Sequence, residues 1–122
     1  VLLILAGFAG LTAVAAGAFG AHALRASLSP DLLAIYQTGA LYHLVHAVAL
    51  FGTALLGRAA NVAAIAGAAG VAFAVGILLF SGSLYVLAMT GTRWLGAITP
   101  IGGVSFMIGW ALLIWAGFRH GT

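Results

Sequence analysis

NVAAIAGAAGVAFAVGILLFSGSLYVLAM, residues 61–89, runs without a single charged side chain. Crossing a bilayer core takes about 20 predominantly apolar residues at 1.5 Å rise each, so this stretch is long enough to span and too apolar to sit against water. Working outward, it is one of four such runs. The spans read as about 1–21, 31–57, 61–89 and 97–118. The polar punctuation between them is HALRASLSPD (22–31), GRAAN (57–61) and TGTRWLG (90–96), each too short to form a domain. The fold class is therefore all-α: one domain over 1–122, an integral membrane bundle of four transmembrane helices with short loops.

Composition supports this reading and removes several functions. Only 4% of the residues are charged and 65% are hydrophobic, whereas a soluble domain carries about 25% charged residues. With no cysteine, disulfides, thiolate metal sites and cysteine nucleophiles are excluded. Asp31 is the sole acid, which excludes paired-carboxylate catalysis and acidic calcium or magnesium sites. The four arginines lie far apart, so nucleic acid is not a partner. A short N-terminal piece is expected before Val1. The first run is longer than the 7–15-residue apolar core of a signal peptide and reads as a true span.

Ser29-Pro30-Asp31 opens the second span with a capping residue, a proline at the first helical position and an acid in the first turn. Thr99-Pro100 opens the fourth in the same style, with Thr99 read as the N-cap. Small residues recur every fourth position at Ala13/Gly17/Ala21 and Ala66/Gly70/Ala74. Together with Gly10, Gly20, Pro100, Gly102 and Gly103 they are the expected helix-packing positions, because close backbone approach replaces the hydrophobic drive in lipid. Ser81-Gly82-Ser83 is expected to bond back to carbonyls one turn earlier and bend the third span. Trp94 and Trp115 are expected interface anchors at opposite ends.

Threading the spans crowds the hydrogen-bonding side chains toward the end of the bundle that holds the first and third loops, here the first-loop face. The candidate polar cluster is His22, Arg25, Gln37, Tyr42, His43, His46, Ser81, Ser83, Tyr85 and Thr99. The opposite, terminal face holds the chain termini and the second loop. His43 and His46 lie about 18 and 22 Å along the second helix from Asp31, so both are deep in hydrocarbon, where an unpaired polar group is costly. At i and i+3 they share a helical face. Three readings of them stand: a neutral pair bonded to hydroxyls and carbonyls, a proton- or ligand-handling site, and a metal or haem site. Two ligands on one helical face cannot clamp a haem from both sides, and no thiolate or carboxylate is at hand to complete a metal shell. No catalytic residue, no cofactor and no metal are assigned.

The blocks GAFGAHAL (17–24), YQTGALYHLVHAVAL (36–50), FSGSLYVLAMTG (80–91) and RWLGAITPIGGVSFMIGW (93–110) resemble the domain-of-unknown-function family 423, whose animal relatives are called transmembrane protein 256. The matching motif positions are Gly17, Gly20, His22, Gln37, His46, Ser81, Ser83, Tyr85, Thr99, Pro100 and Gly102. The resemblance implies a small four-span protein of the bacterial inner (cytoplasmic) membrane, with termini in the cytoplasm. Charge alone does not orient the chain, since Arg58 and Arg119 on one face balance Arg25 and Arg93 on the other. The expected role is a non-enzymatic accessory or scaffolding subunit of a larger membrane complex, with lipids and another membrane protein, or a second copy, as partners. The alternative is a small homo-oligomeric transporter or channel component using His43 and His46. An enzyme is the third option, because the one acid lies at the wrong depth to orient His46.

Overall fold

The computed structural model describes residues 1–121. Four long helices carry the chain: α1 (Leu2–Leu24), α2 (Pro30–Leu56), α3 (Ala63–Thr90) and α4 (Thr99–His120), the last preceded by a 3₁₀ turn over Arg93–Ala97. α2 and α3 are the central pair, α1 packs mainly on α2, and α4 mainly on α3. Each is long and apolar enough to cross a membrane. Large apolar side chains cover the outside, among them Phe8, Leu78, Met107 and Phe118. In water such a surface would aggregate; in hydrocarbon it is the solvated state.

Local signals set the helix ends. Ser29 caps α2 by accepting a hydrogen bond from the Leu32 N–H at 3.2 Å, with Pro30 at the first position. Gly91 ends α3 in the left-handed region at φ 70°, a conformation that is costly for any residue with a Cβ; its N–H reaches the Leu87 carbonyl at 2.7 Å. α4 does not begin as the sequence suggests. Thr99 is its first residue rather than its cap, and the capping position, Ile98, offers no side-chain bond. The Thr99 hydroxyl is engaged elsewhere, 2.7 Å from that of Ser83. It is a cross-helix link, not a cap. Pro100 still sits within the first helical positions, where the missing N–H costs nothing.

The buried seam of α2 is Tyr36, Gly39, His43, His46, Leu50 and Thr53, spaced three and four residues apart. That spacing keeps one face toward the neighbours, and four of its six residues, Tyr36, His43, His46 and Thr53, are polar or aromatic-polar. Glycines mark the closest approaches. A Cβ on Gly102 would meet the Phe80 backbone, and one on Gly76 or Gly109 would enter the rings of Phe106 or Phe73. Gly20 seats the Tyr36 ring, and Gly70 lies against Leu2 and Thr53. Gly10 and Gly17 behave differently: beyond their Cα atoms nothing lies within 4 Å, and Gly103 has only the Phe80 ring at 3.8 Å.

α1 and α3 each contain a π-helical turn, Gly20–Leu24 and Ile77–Ser81. An extra residue in a turn rotates everything beyond it by roughly the 100° a residue advances. In α3 this happens at the level of the buried histidines. The expected back-bond is present, Ser83 Oγ donating to the Phe80 carbonyl at 2.9 Å. Ser81 instead donates across to the Gly39 carbonyl of α2 at 2.7 Å.

Candidate functional site

The two membrane histidines stand on one seam of α2, yet they face different helices. His46 turns toward α4. Its Nδ1 lies 2.7 Å from the Tyr42 carbonyl oxygen. A carbonyl only accepts, so Nδ1 carries the proton and Nε2 keeps its lone pair. The Trp110 indole N–H donates to that lone pair at 3.0 Å. The ring is stacked on Phe106 with centroids 3.5 Å apart and planes 9° apart, and Phe73 and Trp110 meet its edges. Tyr42 stacks behind it and touches Phe80. The cleft between α2 and α4, floored by α3, is thus filled by aromatic rings around one neutral imidazole.

His43 turns the other way, toward α1 and the far side of α3. Its Nδ1 is 2.9 Å from the Tyr85 hydroxyl and its Nε2 is 3.2 Å from the Thr12 hydroxyl. The direction of this chain follows from counting protons. Thr12 has one, and its oxygen lies 2.8 Å from the Phe8 carbonyl and 3.1 Å from the Ala9 carbonyl, which only accept. The Ala9 carbonyl also accepts from the His43 ring, which puts the ring proton on the α1 side. Thr12 therefore donates to Phe8 and accepts from His43 Nε2–H, leaving His43 Nδ1 to accept from Tyr85. The result is a relay from Tyr85 through His43 and Thr12 to Phe8, joining α3, α2 and α1. The two histidines hold opposite tautomers, Nε2–H in His43 and Nδ1–H in His46.

Beside His43 lies a hollow of about 340 Å³. α1 contributes Leu5, Phe8, Ala9 and Thr12, α2 contributes His43 and Leu50, and α3 contributes Ala74, Ile77, Leu78, Gly82 and Tyr85. It opens sideways toward lipid, with its polar end at His43, Thr12 and Tyr85. The π-helical turn of α3 forms part of its wall.

The other polar residues divide into links and exposed groups. Ser83 pairs with Thr99 and Ser81 with the Gly39 carbonyl. Tyr36 donates to the Ala16 carbonyl at 2.6 Å, and Ser105 to the Ala72 carbonyl at 2.7 Å. His22, Arg25 and Gln37 are exposed and lie outside this network. Arg93 reaches Asp31 at 3.3 Å, with both side chains largely exposed. Among the described residues, every buried side-chain nitrogen and oxygen has a hydrogen-bond partner.

By depth the sequence offers Ser81, Ser83, Tyr85 or Thr99 as partners for the histidine pair; of these only Tyr85 bonds one of them, and the partners Thr12 and Trp110 were missed. Trp110 carried a usable signal, because an indole N–H at mid-membrane needs an acceptor. Thr12 carried a weaker one: it lies about 15 Å along α1, level with His43 on the antiparallel helix. Gly39, Gly76 and Gly109 were missed as packing positions for want of any pattern that sets them apart.

Comparison with known proteins places the chain. The sequence profile described as "Protein of unknown function (DUF423)" matches residues 16–103. The chain is 42% identical over 121 residues to the UPF0382 membrane protein YwdK of Bacillus subtilis (strain 168), covering 98% of each. It is 42% identical over 119 residues to the UPF0382 membrane protein SERP0230 of Staphylococcus epidermidis, covering 98% of this chain and 96% of that one. To the UPF0382 inner membrane protein YgdD of Escherichia coli K12 it is 39% identical over 118 residues, covering 97% of this chain and 89% of that one. No solved structure matches. Together with the four apolar helices, these similarities make the chain an integral membrane protein that belongs to the DUF423 family, the UPF0382 membrane proteins of bacteria.

Proposed function

We propose that this protein is a non-enzymatic membrane module, an accessory or scaffolding subunit that packs against a larger inner-membrane complex or a second copy. The observation that carries this reading is the use made of the two histidines. Groups able to shuttle a proton or hold a ligand are here tied into bonds between helices, His46 to Trp110 and His43 to both Tyr85 and Thr12. Such bonds fix helices against one another. The exterior supports the same reading, since it carries glycines at which an added Cβ would meet nothing within 4 Å, including Gly7, Gly10 and Gly17 on α1, where another backbone could approach.

We place it in the inner membrane, a reading supported by its similarity to the inner membrane protein YgdD of Escherichia coli. Both termini are cytoplasmic. This orientation rests on the family resemblance alone, because the arginines here balance across the two faces. A green fluorescent protein fused after Thr122 is expected to fluoresce; a dark fusion, with alkaline phosphatase active at the same site, would reverse the orientation.

Native mass spectrometry of the protein extracted gently from its own membrane tests the role. A stoichiometric complex with another membrane protein, or a defined oligomer without proton-coupled flux in vesicles, supports the scaffold. A homo-oligomer whose flux depends on His43 and His46 would replace it with the transporter, and a lone monomer would end it.

A further inference from the structure

We propose that the hollow between α1 and α3 is a binding site for a lipid-soluble molecule that carries a hydroxyl group on an apolar body. Its volume of about 340 Å³ falls within the roughly 300–1,000 Å³ of small-molecule pockets, and its walls are apolar except at one end. The chemistry of that end selects the ligand. In the His43 relay every proton is already committed: Tyr85 O–H to His43, His43 N–H to Thr12, Thr12 O–H to the Phe8 carbonyl. What the Tyr85 and Thr12 oxygens have left is lone pairs. A site with spare acceptors and no spare donor recognises a hydroxyl, not an ether or a ketone. A plain acyl chain would fill the walls and leave those lone pairs unmet in hydrocarbon.

The depth is specific too. Thr12 and His43 stand near the middle of α1 and α2, while Leu5 and Leu50 lie toward the terminal face. The hydroxyl would therefore sit near the bilayer centre with the apolar body directed toward the terminal-face leaflet. An alcohol in a bilayer ordinarily keeps its hydroxyl at the interface, so occupancy at this depth requires acceptors that replace water.

Gly82 provides the test. It lines the hollow, and a Cβ there would find nothing nearer than the Ile77 carbonyl oxygen at 4.0 Å. Gly82→Leu therefore fills the site from inside a wall without displacing packed atoms. The probes are a dodecanol with a photoreactive diazirine in its chain, the methyl ether of that alcohol, and the corresponding alkane. Each is cross-linked to the purified protein in nanodiscs, and the labelled peptides are mapped by mass spectrometry.

The alcohol is expected to label the segments around Leu5–Thr12 and Leu78–Tyr85 roughly three- to ten-fold more than the ether, the range for one net hydrogen bond. Gly82→Leu should reduce that labelling to the level of lipid-facing Met107. Thr12→Val with Tyr85→Phe should bring the alcohol down to the ether. If Gly82→Leu misfolds, Leu78→Trp at the exposed lip provides the same block. Equal labelling by all three probes, or labelling that survives both blocking substitutions, would overturn the site. Because the experiment uses the isolated protein, it can fail while the scaffold reading stands, and the reverse.

Discussion

Two clefts flank the central helix pair, and each receives one histidine from α2. In the α2/α4 cleft, His46 is enclosed by Phe106, Phe73, Tyr42 and Trp110. In the α1/α3 cleft, His43 meets two hydroxyls, and the space beside it is left open. The imidazoles are three residues apart and equally buried, at 5% and 4% exposure. Burial and residue type therefore do not distinguish a structural histidine from one beside a binding space. What distinguishes them is whether the neighbouring helices supply rings or hydroxyls, and whether those side chains fill the volume.

Substitutions should separate the clefts, and the largest effect is expected from a pair of glycines on α3. Gly76 faces the filled cleft and Gly82 the hollow. Gly76→Leu must displace the Phe106 ring and is expected to cost about 3 kcal/mol or more. Gly82→Leu is expected to be neutral or slightly stabilising, since leucine is the better helix former by up to about 1 kcal/mol. Thermal unfolding in detergent, followed by circular dichroism, reads both. Similar melting temperatures for the two variants would erase the difference between the clefts.

Next is His46→Leu. It strands the Trp110 N–H and breaks the stack on Phe106, so a loss of about 1–3 kcal/mol is expected. Arg119→Ala, at the end of α4, should change stability far less, and equal detergent stability of the two would remove His46 from its structural role. The double-mutant cycle with Trp110→Phe isolates the bond itself. Its coupling should fall near 0.6 kcal/mol, with an upper bound of about 1.7, as found for bonds between membrane helices.

A smaller effect is expected from His43→Leu, about 1 kcal/mol, because the Thr12 proton keeps its Phe8 partner and the Tyr85 hydroxyl borders an open space. A cost above that of His46→Leu would mean that the hollow is tighter than its shape. The smallest effect belongs to Asp31→Asn. Exposed ion pairs are worth at most about 1 kcal/mol and are screened by salt. A change of a few tenths that vanishes in high salt is expected, and a large salt-independent loss would show that Arg93 holds the first-loop face together.

The histidines show how far the sequence could be read. Depth and helical phase put His43 and His46 on one face, and the seam from Tyr36 to Thr53 bears that out. Sharing a face was not enough to give them a shared partner. Three residues advance a helix by 300°, so the two side chains diverge by 60°, and each enters a different cleft. The small-residue rows show the same limit. Gly70 lies against Leu2 and Thr53, whereas at Gly17, from a row of the same spacing, an added Cβ would meet nothing within 4 Å. Spacing marks where a close approach is possible; only a second helix makes it one.

The sequence by itself determined that four helices cross a membrane, that short loops join them, and that α2 carries polar side chains into the hydrocarbon. Run length and charge decide those points, because backbone amides in lipid must be satisfied within each helix. The tertiary structure alone decided which face of each helix points inward, that Thr12 and Trp110 complete the histidines, and that one cleft is filled while the other stays open. In water an apolar face announces that it is buried. In lipid both faces are apolar, so that signal is lost, and a single added residue in the Ile77–Ser81 turn resets the facing of everything beyond it.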